Sequence, residues 1–111
     1  MAEIRPHKDE KLESIITRLA SDFILHESSG QSMITITRTK AATHGKAIKI
    51  FFTVLPDERA EQALDFLKRK RTEFKHYLKE KSRIGLIPHV DFILDEGEIS
   101  ARKLDSLTSA L

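Results

Sequence analysis

At 111 residues the chain has the length of one domain, and a second independent core would lack the residues to bury it. Apolar residues make up 40% and charged residues 32%, which describes a folded chain with a well-solvated surface; the absence of cysteine removes disulfides, thiolate nucleophiles and thiolate metal sites and suits a reducing cytoplasm. The formal net charge is only +2, so any attraction to a polyanion must come from how the charge is distributed.

Met1 to Lys11 is charged and lacks the apolar centre of a signal peptide, and no stretch approaches the roughly 20 apolar residues of a bilayer span. A soluble cytoplasmic protein without membrane contact is expected. From Lys8 to Glu27, Leu12, Ile15, Ile16, Leu19, Phe23 and Ile24 recur at steps of three and four, which predicts an amphipathic helix. Ser28, Ser29 and Gly30 supply a helix stop and loop. Met33 to Arg38 alternates Ile34 and Ile36 against Thr35 and Thr37, a short strand, and Thr43 to Lys46 reads as a turn. Ala47 to Leu55 is the second strand of a hairpin, with Ile48, Ile50, Phe52 and Val54 on one face and Lys49, Phe51 and Thr53 on the other.

Pro56 ends that strand and Asp57 is positioned to cap a following helix. The apolar series Ala60, Ala63, Leu64, Leu67, Phe74, Tyr77 and Leu78 keeps helical spacing but is interrupted by Lys68-Arg69-Lys70-Arg71. A straight helix over residues 57 to 83 would be about 40 Å long at 1.5 Å per residue, longer than the roughly 34 Å diameter of a compact domain of this size. Two helices meeting near residues 69 to 73 are therefore expected. After Gly85 and Pro88, His89 to Leu94 alternates Val90, Phe92 and Leu94 against Asp91 and Ile93, a third strand. A right-handed helical crossover makes strands two and three parallel, while the hairpin makes one and two antiparallel. The expected architecture is α+β, a three-stranded mixed sheet with helices packed on one face. Residues 1–97 form one domain in this reading, and 98–111 a tail that is a weak helix or mobile.

The basic residues cluster. Lys68, Arg69, Lys70, Arg71, Lys75, Lys79, Lys81 and Arg83 face only Glu73 and Glu80 in a segment of net charge +6, so the rest of the chain is net acidic. Lys68, Arg71, Lys75 and Lys79 step by three or four and would line one helix face, an arrangement that tracks a phosphate backbone. A smaller basic group, Arg38, Lys40, Lys46 and Lys49, lies on the hairpin. Phe51 shares the outward phase of Lys49, either to stack on a base or to pack under a helix or the tail. The plain alternative for all these cations is a solvated surface, with the helical ones favoured by the dipole. His7, His26, His44, His76 and His89 have no metal-ligand spacing, and no phosphate loop or nucleophile motif appears, so neither metal, cofactor nor catalysis is expected.

The strand Ile48 to Leu55, the bent-helix segment after it, and Arg83-Ile84-Gly85-Leu86-Ile87-Pro88-His89-Val90-Asp91-Phe92 with Asp95 resemble the bacterial ribosome-binding factor A family. The resemblance spans roughly residues 5 to 105 and is most specific from Arg83 to Asp95. It departs from the family pattern at Lys70-Arg71-Thr72, where members carry an alanine-any-glycine kink, and near His44, where members carry an aspartate. The resemblance implies a type II KH-like fold, α-β-β-α-(kink)-α-β, without the usual glycine loop. It also implies a non-catalytic factor that binds the immature small ribosomal subunit near its neck and assists late maturation of its RNA. The expected RNA contacts are Lys68, Arg69, Lys70, Arg71, Lys75, Lys79, Arg83, Arg38, Lys46 and Lys49, on a monomer. The competing readings are a protein-interaction module whose basic face meets an acidic partner, and a small ferredoxin-like enzyme, which would need a pocket the sequence does not reveal.

Overall fold

One three-stranded sheet, in the order β1-β2-β3, organises the molecule. The computed structural model describes residues 6–27, 30 and 32–110, so Ser28 and Ser29 of the expected helix stop lie outside the described residues. The elements are α1 (Pro6–Glu27), β1 (Met33–Ala42), β2 (Ala47–Leu55), α2 (Ala60–Arg69), α3 (Arg71–Lys81), β3 (His89–Leu94) and α4 (Glu96–Ala110). Short 3-10 turns at Thr43–Gly45 and Asp57–Arg59 connect β1 to β2 and β2 to α2. As expected, β1 pairs antiparallel and β3 parallel to β2.

The inward phase of β2 and β3, Ile48, Ile50, Phe52, Val54, Val90 and Phe92, is buried against Ile16, Leu19 and Phe23 of α1, Leu67 of α2 and Phe74 and Leu78 of α3. Each such side chain contributes about 1.5–3 kcal/mol by leaving water. Phe74 joins the layers, its ring centroid 5.3 Å from Phe23 and 5.7 Å from Phe92. The opposite face of the sheet keeps Lys40 and Lys49 exposed.

Two local readings change. β1 continues four residues past Arg38, because the register shifts between Ile36 and Arg38: Ile36 faces Phe52 and Arg38 faces Phe51. The bulge at Thr37 reverses the phase, so Thr39 and Ala41 oppose the inward Ile50 and Ile48 while Arg38 and Lys40 join the outer face. Strict alternation therefore stops where the strand does not. Asp57 does not cap a helix: it opens the 3-10 turn, and its carboxylate lies 3.8 Å from Arg102 of α4. The fourth helix covers residues expected as a tail, with Leu111 outside the described residues.

Candidate nucleic-acid interface

The helix break falls at Lys70, whose backbone sits at φ −88° and ψ 0° between α2 and α3. Nothing in the side-chain volume demands a glycine there, since this bridge conformation has negative φ. The break is held by charge instead. Lys70 Nζ lies 3.2 Å from Glu27 Oε1 at the end of α1 and 3.4 Å from Glu73 Oε2 in the first turn of α3. The hydrogen bond to Glu27 comes first in holding the Lys70 ammonium above its ordinary pKa, with Glu73 adding to it. Arg71 reaches the other way, placing Nη1 3.4 Å from Asp91 Oδ1 and 3.5 Å from the Val90 carbonyl on β3. Lys70 and Arg71 thus tie the bend to α1 and to the sheet.

That division alters the expected basic stripe. Lys68 belongs to α2, whereas Arg71, Lys75 and Lys79 belong to α3, so one continuous helix face does not form. Lys68, Arg69 and Lys79 are exposed, and Lys75 is half-buried. Arg83 is exposed beyond the end of α3, away from the bend, and shares a cleft with Lys46.

The hairpin cations have separate surroundings. Lys40 and Lys49 are register partners on the outer face, and Lys49 is also opposite Asp91. Adjacent like charges repel, so this pair favours an anion over it. Phe51 is neither bare nor packed under α1: the Arg38 guanidinium stacks 4.1 Å above its ring. Arg38 Nε is in turn 3.5 Å from Asp95 Oδ2.

Asp95, which closes the segment that carries the family resemblance, stands three residues before Glu98, a spacing that signals a helix start. It is buried, accepts a 2.6 Å hydrogen bond from the Thr37 hydroxyl at the bulge, and accepts the Glu98 backbone N–H at 3.0 Å. The Thr37 hydrogen bond leads the causes that depress its carboxyl below the usual range; the Glu98 amide and Arg38 act the same way, against desolvation. The bulge, Arg38 and the start of α4 therefore form one unit. Among the described residues no cluster of three or more His, Cys, Asp or Glu is placed to hold a metal ion.

A helix-bend-helix leading through an exposed arginine into a parallel strand that ends on a buried aspartate is the arrangement whose residues resembled a known family. The model of that family, ribosome-binding factor A, matches residues 8–108. The chain belongs to the ribosome-binding factor A family. A ribosome-binding factor A of Coprothermobacter proteolyticus is 24% identical over 94 residues, covering 83% of this chain and 69% of its own. One from Flavobacterium johnsoniae is 23% identical over 106 residues, covering 90% and 82%. The crystal structure of ribosome-binding factor A from Thermus thermophilus matches the fold with a TM-score of 0.69 at 18% identity, over 78% of this chain and 93% of that one. Coordinates of the Thermus thermophilus factor fitted into a cryo-electron microscopy map of its complex with the 30S subunit match with a TM-score of 0.66 at 19% identity, over 75% and 90%. The mixed three-stranded sheet and the α+β architecture are those of ribosome-binding factor A structures.

Proposed function

We propose that this protein is a maturation factor that binds ribosomal RNA of the small subunit during late assembly, acting by binding alone and without catalysis. The observation that carries the reading is the set of exposed cations on α2 and α3, Lys68 and Arg69 at the bend and Lys79 in the last turn of α3, on a fold of the ribosome-binding factor A family. A structurally similar factor has been fitted into a 30S complex, which supports the same partner here. Lys75, Arg83, Lys46, Lys49 and Arg38 extend the basic surface, and Lys70 and Arg71 contribute while also bracing the bend. Residues 1–97 are the RNA-binding unit in this proposal, working as a cytoplasmic monomer.

Phosphate contacts displace condensed counterions, so affinity for the small subunit falls with salt. Each contact to single-stranded RNA contributes about −0.7 to the slope of log affinity against log salt, and three to five contacts give about −2 to −3.5. The test is co-sedimentation of the full chain with small subunits across a salt series. The double change Lys68→Glu, Arg69→Glu should weaken binding and flatten the slope without unfolding the protein. A folded double variant that binds as the parent does at every salt concentration would remove this face from the interface.

A further inference from the structure

At the end of the molecule away from the bend, three segments distant in sequence enclose a cleft of about 430 Å³. The start of α1 contributes Lys11, Leu12 and Ile15, the β1–β2 connection contributes His44, Gly45 and Lys46, and the loop after α3 contributes Arg83 to Leu86. Its chemistry is divided. Leu12, Ile15, Ile84 and Leu86 are apolar, whereas Lys11, Lys46 and Arg83 bring three cations, and no carboxylate is among the lining residues. Among the described residues, no ion pair or side-chain hydrogen bond engages any of those three cations. Leu86 is left 72% exposed at the cleft.

The backbone at the rim is constrained. His44 holds φ 54° and ψ 38°, a left-handed conformation uncommon for a residue with a side chain, followed by Gly45 at φ 81°. A Cβ at Gly45 would stand 3.3 Å from Leu12 Cδ2, so the turn is seated directly on the apolar floor. This conformation puts His44 at the lip of the cleft.

We infer that this cleft receives a single splayed-out nucleotide of single-stranded RNA, its base on the apolar residues between His44 and Leu86 and its phosphates against Lys11, Lys46 and Arg83. The inference rests on the RNA-binding function proposed above and adds a second contact to it. Three unpaired cations select an anion, and an apolar floor beneath them selects an anion that carries a flat, poorly solvated body. The volume lies at the lower end of small-ligand pockets, about 300–1,000 Å³, the size class of one nucleotide and not of a docked helix. An extruded base recognised by stacking on an aromatic ring is a usual way for a protein to read unpaired RNA, and His44 provides such a ring at the lip of the cleft. A duplex keeps its bases stacked and has none to offer.

The test is nuclear magnetic resonance of the full chain, labelled with nitrogen-15, titrated separately with single-stranded RNA hexamers of mixed sequence, an RNA duplex and inorganic polyphosphate. Amide shifts at residues 44–46 and 83–86 should appear with the single strand, and be much weaker with the duplex and with polyphosphate. The exposed pair Arg83→Glu, Leu86→Asp should lower affinity for the hexamers about tenfold or more, the scale of losing one stacked base. Lys46→Glu provides a second variant should that pair disturb the fold. Equal shifts with polyphosphate would reduce the cleft to a general anion patch and overturn the inference. So would hexamers that move only amides near Lys68 and Arg69, an outcome that leaves RNA binding at the bend intact. Failure of the parent to co-sediment with small subunits would instead strike the proposed function, and is read independently of the hexamer shifts.

Discussion

The bend at Lys70 and the bulge at Thr37 each interrupt a regular element, and each is secured by a charged side chain from a distant part of the chain. Their surroundings differ. Lys70 makes its ion pairs where solvent reaches both partners, while Asp95 receives Thr37, Arg38 and the Glu98 amide with only 5% of its surface exposed. Water screens the first set and competes for its hydrogen bonds, so each pair adds little. In the second set Arg38 still meets water, with 60% of its side chain exposed, but the Asp95 carboxylate is sheltered from it, and a partner removed there leaves polar groups unsatisfied. Similar residue types thus serve as an adjustable strut in one place and a fixed joint in the other.

Both devices depend on the core they flank, and the largest effect is expected there. Phe92→Ala removes the ring that meets Phe74 beneath the bend and should cost about 3–5 kcal/mol in chemical denaturation. A loss below about 1 kcal/mol would show that the third strand does not carry the load assigned to it.

Next comes the joint at the bulge. Asp95→Ala leaves the Thr37 hydroxyl and the Glu98 amide without their acceptor and Arg38 without its carboxylate, and should cost about 2–3 kcal/mol. Thr37→Val, which removes only one donor, should cost less. If both variants matched the parent in denaturation, the buried joint would be no stronger than the exposed strut.

The pH dependence sharpens the contrast. Asp95 has its folded-state pKa depressed, so it binds fewer protons folded than unfolded at mildly acidic pH. Its contribution is complete above the ordinary carboxylate range and is lost as pH falls through the lowered folded-state value. The stability gap between parent and Asp95→Asn should therefore narrow on acidification from neutral pH, measured by denaturation at a series of pH values. A gap that stayed constant would mean that the charge on Asp95 adds nothing to its hydrogen bonds.

The smallest effect is expected at the strut. Lys70→Met should shift the melting temperature less than Asp95→Ala does, and moderate salt should erase the difference from the parent, because the pairs to Glu27 and Glu73 are solvent-accessible. A large, salt-independent loss would place Lys70 among the structural residues of the fold and outside the screened surface.

Local periodicity determined much of this protein. The boundaries of β2 and β3, the apolar face of α1, and the placing of Leu67, Phe74, Leu78, Ile50, Phe52 and Phe92 in one core follow from spacing, because a side chain's phase depends on its own helix or strand, and the need for a bend near residue 70 follows from the length of the helical segment against the size of the domain. The concentration of cations between Lys68 and Arg83 was equally legible, being a matter of counting. Tertiary structure alone decided what those residues meet. The alternation of β1 reverses at Thr37 only because an extra residue must be accommodated opposite β2, and a register is a relation between two strands. Asp95 reaches Thr37 across 58 positions, Lys70 finds Glu27 on another helix, and Arg38 covers Phe51 across the ladder. Lys11, His44 and Arg83 share no sequence neighbourhood, yet they line one cleft. Charge and periodicity are carried by each segment separately, whereas a pairing or a cavity exists only between segments, once packing has set their distances.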